Sequence, residues 1–211
     1  MNDYVIPFIA LFTFGIILFY RRATHNVLRI FIRFIFIIYY RIKLAIIDFL
    51  FGFDSFNEQV MNLPEFALKP ILRNYGALIG QNCNIQQPLI LNTNSKYRYN
   101  NLHIGNNSHV GKSVILDLLG KVVIGNNVII SFGSTLVSHT DFGNSKLKSF
   151  YPLEQLVTKV EDDCYLGANT TILAGVTIEK SVIVGANSLV NKDLSSDFIY
   201  FGVPAKGWKK L

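Results

Sequence analysis

His139 is the residue whose type and setting best suit chemistry. It lies in the run Leu136-Val137-Ser138-His139-Thr140-Asp141, where a regular pattern of aliphatic residues breaks off. An imidazole titrates near neutral pH, so it can take a proton from a hydroxyl and return it within one turnover. Asp117 and Asp141 are the nearest carboxylates; either could orient the imidazole or bind a hydroxyl, and a solvated turn aspartate accounts for each equally well. The other histidines read differently. His25 adjoins an apolar, basic segment. His103 and His109 precede aliphatic residues six apart, which reads as a polar ladder on adjacent coils. No metal site is expected, because this pair lacks the further ligand that a stable zinc site uses. Cys83 and Cys164 hold equivalent positions in the pattern and read as small core residues.

The pattern itself has a six-residue period. Val160, Leu166, Ile172, Ile178, Val184 and Val190 form one series. Ile79, Ile85 and Leu91, then Ile104, Val110 and Leu116, then Ile124, Ile130 and Leu136 form three more. A short fixed period marks a solenoid, and strand alternation would not hold such a phase. Four places after most of these aliphatic residues stands a small, thiol or β-branched side chain, as at Cys83, Ser108, Val128, Cys164 and Ser188. Both positions are expected to point inward. Glycine and asparagine follow the aliphatic residue, as in Gly105-Asn106-Asn107, and both tolerate the turn at a coil corner. Three hexads close one triangular coil, and each coil buries its aliphatics on the next. The predicted fold over residues 75–211 is an all-β solenoid, a parallel β-helix ending in a C-terminal tail. A loop insertion at 140–158 leaves it, with His139 at the mouth.

The chain has 211 residues and a formal charge of +6, unevenly placed. Arg21, Arg22, Arg29, Arg33, Arg41 and Lys43 lie among apolar residues near the N-terminus, and Lys206, Lys209 and Lys210 close the chain. The first group suits anionic lipid and the second an anionic ligand. No nucleic-acid motif is present, and the basic stretch is too apolar for a solvated binding face. Residues 4–20 carry no charge, which is the short limit for a membrane span. The arginines that follow place the remainder on the cytoplasmic side. Residues 27–53 suit a helix lying in the membrane interface, its arginines reaching to headgroups. Residues 1–53 are thus expected to be a membrane-anchoring helical segment, holding the rest on the cytoplasmic face of the inner membrane. Residues 54–74 read as a connector, with a short helix over 56–68 that ends before Pro70.

Taken together, several stretches resemble the hexapeptide-repeat acyltransferases, a left-handed β-helix family. They are residues 116–128, the run Ser138-His139-Thr140-Asp141, residues 160–178 and 183–193, and the closing Gly202-Val203-Pro204-Ala205-Lys206. The branch they are most similar to contains the maltose, galactoside and capsular-polysaccharide O-acetyltransferases. The resemblance implies an enzyme that moves acetyl from acetyl-CoA to a sugar hydroxyl, with His139 as general base. It implies an oxyanion donor near Ala168 and a pantetheine track past Tyr165, Ala168 and Ala186. The nucleotide end falls on Asn191 and Lys192, and on Lys206 and Lys209 in the tail. Tyr165 stands where the family usually has tryptophan. The family is a homotrimer with coenzyme A between neighbouring copies. Joined to a membrane anchor, this suggests a cell-surface glycan or its lipid-linked precursor as acceptor. Alternatives are a small soluble sugar, nucleotide sugar or amino acid, or a β-helix scaffold without catalysis.

Overall fold

The computed structural model describes residues 26–211. The expected span over 4–20, its closing arginines Arg21 and Arg22, and His25 lie outside the described residues. The chain divides into two compact units, one ending at Tyr40 and one running Arg41–Leu211. Among the described residues, no helix is long and apolar enough to cross a membrane.

From Leu78 onward the chain winds into a left-handed β-helix with three parallel faces. The first face carries Leu78–Ile79, Leu102–Ile104, Lys121–Ile124, Val157–Val160 and Thr177–Ile178. The second carries Asn84–Ile85, His109–Val110, Ile129–Ile130, Tyr165–Leu166, Ile183–Val184 and Phe198–Phe201. The third carries Leu89–Asn92, Val114–Asp117, Thr135–Leu136, Thr171–Ile172 and Leu189–Val190. In the uninterrupted coils, partners such as Lys159 and Thr177 lie 18 residues apart, which is three hexads. Every aliphatic residue of the sixfold pattern is buried, and so are Cys83, Ser108, Val128, Cys164 and Ser188 four places on.

Glycine and asparagine divide the corner between them, where the sequence reading gave them one shared role. The left-handed conformation falls on the asparagines, with φ of 56° at both Asn107 and Asn169 and 55° at Asn127. Gly105 lies where a coil passes closest to its neighbour: a Cβ there would sit 2.5 Å from the Gly125 carbonyl carbon. The asparagines also bond between coils, Asn82 to Asn107 (3.2 Å), Asn107 to Asn127 (3.3 Å) and Asn127 to Asp163 (2.9 Å). His103 and His109 do not stack. Six residues is one side of the triangle, so His103 lies on the first face beside Val123 and His109 on the second beside Ile129. Burial pushes the His103 imidazole below its ordinary pKa, and Lys121 adds to this. The two cysteines are free buried thiols, donating to Gly105 O (2.9 Å) and Glu179 O (3.0 Å).

The expected connector is helical and closes the first coil. Helix α1 runs Asn26–Met61, broken at Gly52 by a backbone (φ 81°, ψ 176°) suited to glycine. Helix α2 runs Glu65–Asn74 with Pro70 inside it, not beyond its end. A mid-helix proline costs one backbone bond, but α2 buries Ala67, Leu68, Ile71 and Leu72, and that packing outweighs the loss. The helices also supply donors to the open strand edge. Arg73 donates to Ile79 O and Gly80 O (both 2.7 Å), Lys69 to Cys83 O (2.5 Å) and Asn57 to Leu91 O (2.9 Å). Arg98 pairs with Asp48 (2.7 Å) over the rings of Phe53, Phe56 and Tyr75, fixing the segment after the first coil to these helices.

Two further boundaries move. The insertion begins and ends as an antiparallel pair, His139–Thr140 with Glu154–Gln155, and the first face resumes at Val157. The C-terminal tail is a strand, Lys206–Lys210, folded back on Phe198–Phe201. The close approach of coils gives a direct test. Gly105→Ala should lower the unfolding free energy by about 1–3 kcal/mol in urea titration, because only backbone faces the added methyl. A change near zero would mean that the corner has slack.

Candidate active site

Asp117 and His139 meet at the corner between the third and first faces. Asp117 ends one strand of the third face, and His139 follows the next strand up, where the insertion departs. His139 Nδ1 lies 2.5 Å from Asp117 Oδ2, with the two side chains 21% and 7% exposed. The same Oδ2 accepts from the backbone N–H of Ser138 (2.8 Å) and His139 (3.0 Å). Burial pushes the Asp117 carboxyl up, but the His139 hydrogen bond and the backbone donors outweigh it and hold the group below its ordinary value. Ser138 is buried beneath them: its hydroxyl donates to Asp117 O (2.5 Å) and accepts from Gly120 N (2.8 Å). The imidazole is therefore fixed through Nδ1 to a carboxylate that stays ionised at neutral pH, so Nε2 is the nitrogen left to accept a proton.

Asn92 completes the group. Its amide Nδ2 donates to Asp117 Oδ1 at 3.0 Å, and the two residues are register partners on the third face. The sequence reading did not include it. The signal was there: Asn92 follows Leu91 as Asp117 follows Leu116, a polar residue at the same corner one coil earlier. Asp141, by contrast, accepts from Gly143 N (2.8 Å) within the insertion, which is the turn role. Thr158 closes the neck of the insertion, its hydroxyl donating to Val137 O (2.5 Å) and accepting from Gly175 N (3.1 Å). Tyr97 donates to Gln155 Oε1 (3.1 Å), so the segment after the first coil rests on the insertion hairpin.

The other candidate residues fall on two different edges. Asn191 and Lys192 follow the Leu189–Val190 strand, on the same edge as His139 and two coils on. Both are exposed. Tyr165 is 42% exposed on the second face, and Ala168 and Ala186 lie at the corner between the second and third faces. The flanking ladder bonds run from Gly167 N to Val184 O (2.8 Å) and from Asn169 N to Phe132 O (3.0 Å). Lys206 and Lys209 are exposed on the final strand. Within one chain, then, Tyr165, Ala168 and Ala186 are a full side of the triangle from His139.

Residues 158–192 match the family model described as bacterial transferase hexapeptide (six repeats). The galactoside O-acetyltransferase of Lactococcus lactis is 28% identical over 158 residues, covering 75% of this chain and 74% of that protein. A putative colanic acid biosynthesis acetyltransferase, WcaF of Escherichia coli, is 29% identical, covering 64% of this chain and 70% of its own. A hexapeptide-repeat acetyltransferase of Vibrio cholerae, solved with acetyl coenzyme A, has the same fold. Its TM-score is 0.65 at 22% identity, covering 74% of this chain and 85% of that one. In its repeat, its fold and these relatives, the chain is similar to the hexapeptide-repeat acetyltransferases, galactoside O-acetyltransferase and the WcaF-like proteins among them.

Proposed function

We propose that the protein transfers acetyl from acetyl-CoA to a hydroxyl of a sugar, with His139 as general base. The observation that carries this is the His139–Asp117 pair at the mouth of the insertion. With Nδ1 held by Asp117, Nε2 takes the proton of the acceptor hydroxyl as its oxygen attacks the thioester carbonyl. The new C–O bond gives a tetrahedral oxyanion. Collapse breaks the C–S bond, and the imidazolium returns its proton to the departing thiolate. Asp117 pairs with the imidazolium while it holds the proton.

The division of candidate residues between two edges supports assembly of the site from two copies. His139, Asn191 and Lys192 would come from one chain. Tyr165, Ala168 and Ala186 would come from its neighbour, with the Ala168 N–H as oxyanion donor. A trimer satisfies this arrangement, each copy giving one edge and receiving the other. Lys192, Lys206 and Lys209 supply point charges for the phosphates of coenzyme A.

The galactoside relative supports a small sugar as acceptor, and the WcaF-like relative a sugar within a growing surface glycan. One observation favours the second, membrane-side reading. In α1, Leu28, Ile30, Phe31, Phe34, Ile35 and Ile38 are exposed, in a stretch whose only charged residues are Arg29 and Arg33. Such a surface suits the interface of an anionic bilayer. The protein should sediment with vesicles containing phosphatidylglycerol and less with neutral ones, and equal sedimentation with neither would remove the membrane from the reading.

Three substitutions test the chemistry. His139→Ala should lower kcat by about 10²–10⁴-fold while acetyl-CoA still binds in calorimetry. Unchanged turnover would remove His139 as the base. Asp117→Asn should cost roughly 10–100-fold in kcat, and Asn92→Ala about tenfold, through the orientation of the ring. Asp117 also carries a pH signature. Its folded-state value lies below the unfolded one, so its stabilisation is complete above about pH 4 and is lost as pH falls through the folded value. The stability gap between wild type and Asp117→Asn should be flat from neutral to about pH 5 and shrink on further acidification. A gap independent of pH would mean that the carboxyl is not held ionised.

A further inference from the structure

Across the third face from His139, a cavity of about 540 Å³ opens at the corner between the second and third faces. Three successive coils line it. Gln86 comes from the first, His109, Lys112 and Ser113 from the second, and Ser131 and Phe132 from the third. Its size is that of a small-ligand pocket. Its chemistry is specific in sign: the wall holds a lysine and a histidine and no carboxylate. Hydroxyls and an amide supply neutral hydrogen-bonding groups, and the Phe132 ring, 60% exposed, offers an apolar plate. The cavity also adjoins the expected track of coenzyme A, because Ser131 Oγ lies 3.3 Å from Tyr165 OH.

We infer that this cavity receives the acceptor, and that Lys112 with His109 selects a sugar carrying a carboxylate or a phosphate. The inference rests on the acetyltransferase reading and on the pairing of copies, which would bring this corner to the His139 of a neighbour. An acyl chain that follows the track past Ala168 and Tyr165 ends against Ser131, at the rim of the cavity. A sugar seated there presents a hydroxyl to the thioester. Its apolar face lies on Phe132, its hydroxyls meet Gln86, Ser113 and Ser131, and its anionic group lies at Lys112. A wall with a cation and no carboxylate favours such a sugar over a neutral one. Lys112 is exposed at a corner, so its replacement leaves the core intact.

The test compares galacturonate, galactose 1-phosphate and methyl galactoside, both as acceptors and as ligands in calorimetry. The wild-type protein should favour one or both anionic sugars over the neutral one. Lys112→Ala should lower that kcat/KM ratio by about tenfold, and Lys112→Glu should lower it further. The preference for carboxylate or phosphate identifies which anion the site takes. A ratio that Lys112→Glu leaves unaltered would overturn the inference. So would a common loss on all acceptors with a raised KM for acetyl-CoA, which would assign the lysine to the donor. The two readings fail separately. Transfer without anion preference removes the anion site and leaves the acetyltransferase. Galacturonate binding that depends on Lys112, in a protein that transfers nothing, removes the acetyltransferase and leaves the anion site.

Discussion

The backbone ladder between coils is the constraint on which this molecule depends. Each strand is only a few residues long, and alone it could not persist. It persists because its N–H and C=O groups pair with the coil below and the coil above, a strand spacing of about 4.8 Å away. That spacing decides residue types at every corner. Where two backbones pass at closest range, as at Gly105 over Gly125, no Cβ fits. Where the chain must turn with positive φ, asparagine does so and bonds to the asparagine beneath. Inside, one large aliphatic and one small residue per side fill the triangle.

The same stacking underlies the proposed chemistry. Asn92, Asp117 and His139 come from three successive coils and are far apart in sequence, yet the ladder sets them one rung above another at a single corner. The carboxylate then needs no loop to hold it. Its donors are the backbone of the next coil, the ring it orients and the amide below. A rigid repeat thus supplies precision, while the insertion that leaves the same corner is free to differ in shape. The cost of burying a charge at Asp117 is offset by those donors, which favour its ionised form.

The solenoid was legible in the sequence because its period is local: each hexad repeats the same demand, and each of the four aliphatic series between Ile79 and Val190 meets it in phase. His139 was legible because it stands where the phase breaks. What the sequence left open was relation across coils. It could not choose between Asp117 and Asp141, since the choice depends on which residue lies one rung from the imidazole. It omitted Asn92, whose role exists only through the carboxylate above it. It placed His103 and His109 in one ladder, though three sides per coil put them on different faces. It ended a helix before Pro70, because proline propensity is a local term and the buried face of α2 is not. It read residues 27–53 from composition, and α1 runs on beyond that border to Met61.

The donors at the first coil bear on more than that coil. A stack of parallel strands has no intrinsic end, and its last row of carbonyls can template another row. In this chain Arg73, Lys69 and Asn57 occupy carbonyls of that row. At the opposite end the Lys206–Lys210 strand pairs antiparallel with Phe198–Phe201 and ends the parallel ladder of the second face. Occupied carbonyls at one end and an antiparallel strand at the other reduce the edge open to a further parallel strand. Contact between molecules is left to the flanks, where the two halves of the proposed site lie.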